Sequence, residues 1–157
     1  MTKPVAIVTG GSRGVGAEES ILLAKKGWNL AITCSNSMDA AKEISQDCET
    51  HGAETIVIKA DVSQPDLCTK TVKDTIDEFG KLDALINNAG TTKFNAHDNL
   101  EGLSKEDFLG LYAINTVGPY MMIKESRDYL AKSDNPSVVN VASIAGVLGI
   151  GSSVAYA

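Results

Sequence analysis

The sequence predicts an α/β protein built on a doubly wound, parallel sheet, and two observations carry that prediction. Strand-length apolar runs alternate with helix-length amphipathic stretches along all 157 residues, the pattern of repeated βα units. The first run passes at once into a glycine-rich turn, Thr9-Gly-Gly-Ser-Arg-Gly-Val-Gly16, that opens a helical stretch.

Val5-Ala-Ile-Val8 reads as the first strand. A helix from Gly14 to Lys26 follows, with Val15, Ile21, Leu22 and Leu23 expected against the sheet and Gly27 closing it. Leu30 to Cys34 is the second strand. A helix over Met38 to His51 places Ala40, Ala41, Ile44 and Cys48 on one face and stops at Gly52. Thr55 to Lys59 is the third strand, leading to Asp61. Ser63 is expected to cap the next helix, with Pro65 in its first turn and Val72, Ile76 and Phe79 as its buried stripe.

Leu82 to Asn87 is the fourth strand. The polar stretch from Thr91 to Gly102 is long for a connector, which favours the mouth of a site. Ser104-Lys-Glu-Asp107 reads as a capping box opening a long helix to about Leu130, kinked at Gly118-Pro119. Phe108, Leu111, Ile114, Val117, Met121 and Met122 give that helix more apolar surface than one face needs, so a second subunit is expected on it. Ser137 to Ala142 is the fifth strand, ending at Ser143, and Ile144 to Ala157 reads as a glycine-rich loop that turns helical only at its end.

Composition narrows the function. The chain is 43% hydrophobic and 22% charged, an ordinary globular balance that excludes disorder and coiled coil. A net charge of -6 repels phosphate backbones and anionic lipid, so neither nucleic acid nor membrane is expected as a partner. Cys34, Cys48 and Cys68 are odd in number and far apart, which reads as reduced thiols without a disulfide framework or zinc site. Asp66, Asp74, Asp77 and Glu78 read as a solvated helix face, and His51 and His97 as surface residues; no metal is expected. The apolar run at the start is only four residues long, too short for a signal peptide or a span, so a cytoplasmic location is expected.

The glycine turn between strand and helix carries the first chemistry. Amides at a helix start point outward without intrahelical partners, and the aligned peptide dipoles favour a phosphate there. The spacing of Gly10, Gly14 and Gly16 is G-x-x-x-G-x-G, neither G-x-G-x-x-G nor a P-loop. Polar residues then recur at strand ends, where an open α/β sheet forms its ligand crevice: Asp61, Asn87-Asn-Ala-Gly90 and Ser143.

These motifs, with Asn115 in the long helix and Tyr156, resemble the short-chain dehydrogenase/reductase family over the whole chain, including its 3-oxoacyl thioester reductases. The resemblance implies one NAD(P)-binding, Rossmann-like domain over residues 1–157, truncated after the fifth strand. It implies hydride transfer between a nicotinamide cofactor and a ketone or secondary alcohol, in a homo-oligomer, dimer or tetramer, joined through the long helix near 108–130. Gly10, Gly14 and Gly16 would let the backbone approach the cofactor's phosphates, and Ser12, Arg13, Val15, Ser35 and Asn88 would be further cofactor-binding residues. Asp61 would accept from the adenine amino group with Val62 beside the base, and Ala89 and Gly90 would leave room along the cofactor. Tyr156 would donate and accept the proton, Ser143 would hold the substrate oxygen, and Asn115 would anchor a water.

Cofactor choice follows from charge. A carboxylate after the second strand binds a ribose diol, but here that position is Cys34-Ser-Asn-Ser37, and Arg13 can pair with a 2′-phosphate. NADP(H) is therefore preferred over NAD(H). One departure qualifies the resemblance: the family's Y-x-x-x-K pattern places its lysine at position 160, beyond Ala157, where the cation would help ionise the phenol. A chain ending there would also leave the valines of the fifth strand on an exposed edge, so the sequence reads as part of a longer chain. The alternative reading is a nucleotide-binding module without catalysis, because fold alone does not establish activity.

Overall fold

The computed structural model describes residues 2–157. Five strands, β1 (Val5–Val8), β2 (Asn29–Cys34), β3 (Thr55–Lys59), β4 (Ala84–Asn87) and β5 (Ser137–Asn140), form one parallel sheet in the order β3-β2-β1-β4-β5. The helices are α1 (Gly14–Lys25), α2 (Met38–Thr50), α3 (Pro65–Phe79), α4 (Lys105–Tyr112), α5 (Gly118–Leu130) and the short α6 (Ala145–Leu148).

Alternation along the strands divides the core. Ala6 and Val8 join Leu30, Ile32, Ala41 and Cys48 on the face covered by α1 and α2. Ile7 joins Ala31, Leu85, Val72, Met122 and Leu130 on the face covered by α3 and α5. Strand order reverses between β1 and β4, so the crevice of a doubly wound sheet must open at their carboxyl ends. The three thiols are buried and unpaired, and burial pushes those of Cys48 and Cys68 up to about 11. Among the described residues no helix is long and apolar enough to cross a membrane.

Several boundaries and faces differ from expectation. Of the apolar residues expected on the sheet face of α1, Ile21 and Leu23 pack against the core, whereas Val15 and Leu22 are exposed and Gly16, Ala17, Ser20 and Ala24, small residues that permit close approach, are the buried ones. Ser63 does not cap α3: Gln64 holds that position without a side-chain bond, and the Ser63 N–H donates to Asp61 Oδ1 at 2.9 Å. Pro65 does occupy the first turn. The Ser104–Asp107 capping box forms.

The long helix is interrupted by a π turn over Ala113–Val117, immediately before the expected kink. Pro119 has no N–H for the Asn115 carbonyl four residues back, so the backbone widens there. Gly118 then lets α5 approach β3's exit, since a Cβ would stand 2.8 Å from Val62 Cγ2. One face of this segment is buried through Leu111, Met122 and Leu130, whereas Phe108, Leu109, Tyr112 and Tyr120 are exposed. The 144–157 segment forms α6 earlier than the sequence suggested.

At the opposite end of the sheet the buried carboxylate of Asp83 joins three elements. It accepts from the Val5 N–H at 2.8 Å, from Ser133 Oγ at 2.6 Å and from Lys81 Nζ at 3.0 Å. Burial alone would raise its pKa, but the bonds from Ser133, Val5 and Lys81 outweigh burial and hold it below the ordinary value. A lowered folded-state pKa gives stability that is complete above the unfolded value near 4 and is lost as pH falls through the folded value. Urea titrations from pH 6 to pH 3 should therefore show an acid-dependent loss of stability that is smaller in Asp83→Asn, itself less stable at pH 6. Parallel pH curves for the two proteins would refute that role.

Candidate functional site

At the carboxyl ends of the strands lies a cleft of about 410 Å³, lined after β1 by Gly10, Ser12 and Arg13 and after β2 by Cys34, Ser35, Asn36 and Ser37. Ala60, Asp61 and Val62 after β3, Asn88, Ala89, Gly90 and Thr91 after β4, and Ile114 complete it. This is the crevice that the strand order requires.

The glycine turn is held rigidly at its back. The Gly11 N–H donates to the Thr33 carbonyl at 2.9 Å, and the Asn88 amide donates to the carbonyls of Thr9 at 2.9 Å and Gly10 at 3.1 Å. Buried Thr9 closes the knot: its Oγ1 accepts from the N–H groups of Asn88 and Ala89, each at 3.0 Å. Gly10 adopts φ 65, and a Cβ on it would stand 2.9 Å from Ala89 Cα. A Cβ on Gly16 would overlap the Asn88 amide nitrogen and lie 2.7 Å from the Gly10 carbonyl oxygen. These two glycines thus serve the junction between β1 and β4, while Gly14, φ 57, faces open space at the start of α1.

Ten of the fifteen expected site residues lie at or beside the cleft: Gly10, Ser12, Arg13, Ser35, Asp61, Val62, Asn88, Ala89 and Gly90 line it, and Asn115 adjoins it through Thr91. Gly14, Val15 and Gly16 do not line it. Asp61 spends Oδ1 on the Ser63 N–H, and Arg13 extends from the start of α1 at the rim. Around Arg13 and the Cys34–Ser37 turn, Asp61 is the one acidic residue of the lining.

Asn115 sits in the π turn and spends both ends of its amide on one neighbour. Its Oδ1 accepts from the Thr91 N–H and its Nδ2 donates to the Thr91 carbonyl, each at 2.9 Å. Ser143 follows β5, and its Oγ accepts from the Ala145 N–H at 3.2 Å. Tyr156 is half-buried, and its N–H donates to the Ser153 carbonyl at 3.2 Å. Neither Ser143 nor Tyr156 lines the cleft.

Sequence reasoning missed the clamp by Thr9 and the lining by Ala60 and Ile114; it placed Cys34, Asn36 and Ser37 only as the uncharged stretch after the second strand, and Thr91 only as the start of a site's mouth. Most of these adjoin expected residues at strand ends, a usable signal, whereas Ile114 enters only through packing of the π turn.

A family model described as short chain dehydrogenase matches residues 4–157. The chain belongs to the short-chain dehydrogenase family. A 3-oxoacyl-acyl-carrier-protein reductase of Synechocystis is 30% identical over 149 residues, 95% of this chain and 59% of that protein. A Burkholderia xenovorans structure, provisionally named a short-chain dehydrogenase/reductase, superposes with a TM-score of 0.95 at 34% identity, covering 99% of this chain and 66% of that one. An NAD+-bound xylitol dehydrogenase superposes with a TM-score of 0.89 at 28% identity, covering 99% and 58%. The chain therefore spans about 60% of the length of the curated relatives it matches.

Proposed function

We propose that this short-chain dehydrogenase binds NADP(H) in the cleft and interconverts a ketone and a secondary alcohol, with Tyr156 as proton donor and acceptor. The observation that carries the reading is the cleft itself: Arg13 and the uncharged Ser35-Asn36-Ser37 turn line it together, and Asp61 is its one carboxylate. The residues fit a dinucleotide, because the glycine turn presents backbone amides and a guanidinium where phosphates would lie. When bound, the cofactor supplies the hydride.

The chain's own residues do the rest. Asp61, with Oδ1 taken by the Ser63 N–H, would hold the adenine amino group through Oδ2, and buried Val62 would lie beside the base. Ser143 Oγ, accepting from Ala145, keeps its proton to hold the substrate oxygen. The Asn115 side chain is occupied by Thr91, so its backbone carbonyl, which Pro119 cannot serve, is the group that would anchor a water. The exposed row of Phe108, Leu109, Tyr112 and Tyr120 is the contact we assign to a second subunit.

Arg13→Glu tests the cofactor assignment. It should weaken NADPH binding by roughly 10- to 100-fold, the scale of one charge-assisted phosphate contact replaced by repulsion, and NADH binding far less. Calorimetry with both nucleotides reads the difference; equal loss for the two would reject NADP(H) preference. A second reading, nucleotide binding without catalysis, draws on the position of Ser143 and Tyr156 outside the cleft lining. NADPH binding with no oxidation by any member of a ketone panel would favour it.

A further inference from the structure

The polar loop between β4 and α4 is knotted by its own side chains. Asn95 Nδ2 donates to the carbonyls of Ala96 at 2.9 Å and Asn99 at 2.8 Å, and Asn99 Nδ2 donates back to Asn95 Oδ1 at 3.2 Å. Gly102 makes room for the knot, since a Cβ there would collide with the Asn95 amide. Lys93 fastens the loop's base to Asp107 at 2.6 Å, and Asn115 fastens Thr91. The loop is thus anchored at its base and internally bonded, the properties of a rigid element rather than a lid.

From this anchored loop three groups converge on two residues far away in sequence. The Asn95 N–H donates to the Ser152 carbonyl at 2.8 Å, Thr92 Oγ1 bonds Ser152 Oγ, and His97 Nε2 lies 3.2 Å from the Gly151 carbonyl. Gly151 in turn lies under the Tyr156 ring: a Cβ on it would stand 3.4 Å from Tyr156 Cδ1 and 3.0 Å from Ala145 Cβ. His97 and the Tyr156 ring therefore meet at one glycine, from its carbonyl and from its Cα side. Within the segment that carries Tyr156, Ala145 and Ser153 are buried, whereas Ile144, Val147, Leu148, Ile150 and Val154 are exposed.

We propose that Thr92 and His97 are positioning residues for Tyr156, fixing the Gly151–Ser152 backbone on which its ring rests; the catalytic consequence depends on the reading of Tyr156 given above. His97 acts as a donor through Nε2 to a carbonyl, a role that a glutamine amide can fill and an alanine cannot. Neither residue touches cofactor or substrate in this assignment.

The test uses this chain labelled with 3-fluorotyrosine, whose four tyrosines give four fluorine resonances. Loss of one signal in Tyr156→Phe assigns Tyr156. In His97→Ala with Thr92→Val the Tyr156 resonance should move toward that of free fluorotyrosine while Tyr129, packed in the core beside α3, stays in place. Ser152→Ala, which removes one tie from the other side, should move it in the same direction. His97→Gln should restore the wild-type position in the otherwise wild-type background. A Tyr156 resonance unmoved in both the double variant and Ser152→Ala overturns the proposal.

Kinetics separate this proposal from the reading it rests on. With a ketone and NADPH, the double variant should lose about tenfold in kcat, the scale of one mispositioned hydrogen bond, with KM and the NADPH Kd within about twofold of wild type. Equal loss in kcat and in NADPH affinity would overturn positioning in favour of general unfolding of the site. Should the fluorine shift appear while wild type reduces no ketone, the brace is supported and the catalytic reading of Tyr156 fails.

Discussion

Gly16→Ala is expected to abolish NADP(H) binding and to destabilise the fold, although the substituted atom would not itself face the cleft. A Cβ at this position overlaps the Asn88 amide nitrogen and sits 2.7 Å from the Gly10 carbonyl oxygen, so one of the two must move. Asn88 cannot retreat without releasing its bonds to Thr9 and Gly10, and Gly10 cannot retreat without pressing on Ala89. Overpacking costs about 1–3 kcal/mol. Two lost hydrogen bonds add about 1 kcal/mol each. The total of about 3–5 kcal/mol corresponds to a melting temperature lower by roughly 10 °C in a domain of this size. NADPH affinity should fall by more than about 100-fold, because the turn that presents the amides is the part displaced. Gly14→Ala is the control: its Cβ meets open space, so only the left-handed φ of 57 opposes it, at about 1 kcal/mol. Calorimetry and thermal melts on both variants give the result; NADPH binding within threefold of wild type in Gly16→Ala would show that the turn does not depend on this junction.

That contrast also explains how far the sequence could be read. β1, β2 and β4 were legible because parallel strands buried on both faces are apolar runs, whereas β3 is half-buried and β5 exposed, and these two were read from their β-branched residues. Asp61 and Asn88, which line the cleft, were read from their positions after strands, since a strand end needs no long-range knowledge to locate; Ser143 was read in the same way and does not line it. The purpose of Gly16 was not legible, because Asn88 lies 72 residues away and only the β1–β4 pairing brings the two together. The buried face of α1 was half legible, through Ile21 and Leu23, and the rest was missed for a related reason. Large apolar residues mark a helix that packs at ordinary distance, whereas α1 packs closely through Gly16, Ala17, Ser20 and Ala24 and leaves Val15 and Leu22 in solvent. The π turn was half legible: Gly118-Pro119 announced a disturbance, but the missing N–H acts four residues earlier, on the turn that holds Asn115. His97 read as a surface residue and is exposed, yet its bond to Gly151 crosses 54 residues and leaves no local trace.

Tyr156→Phe should reduce ketone turnover by roughly 10²- to 10⁴-fold, the range for removing a positioned general acid, and leave the NADPH Kd within about twofold. The substitution suits the question because it deletes one oxygen and keeps the ring. Packing over Gly151 is preserved, as is the backbone bond from residue 156 to the Ser153 carbonyl, so the 143–157 segment should hold its shape. Binding should persist because Tyr156 does not line the cleft that Gly10, Arg13 and Asp61 form. Ser143→Ala should cost less, about 10- to 100-fold, since it removes a hydrogen bond to the substrate oxygen while the proton source remains. Stopped-flow absorbance of NADPH with a ketone, run beside calorimetry, separates the two quantities. A Tyr156→Phe protein that keeps wild-type kcat would remove the phenol from the reaction, and proton transfer would then have to come from water or another group. A variant that loses NADPH affinity in step with turnover would instead mean that the ring supports the cleft, and the division between a binding half and a catalytic half of this chain would not hold.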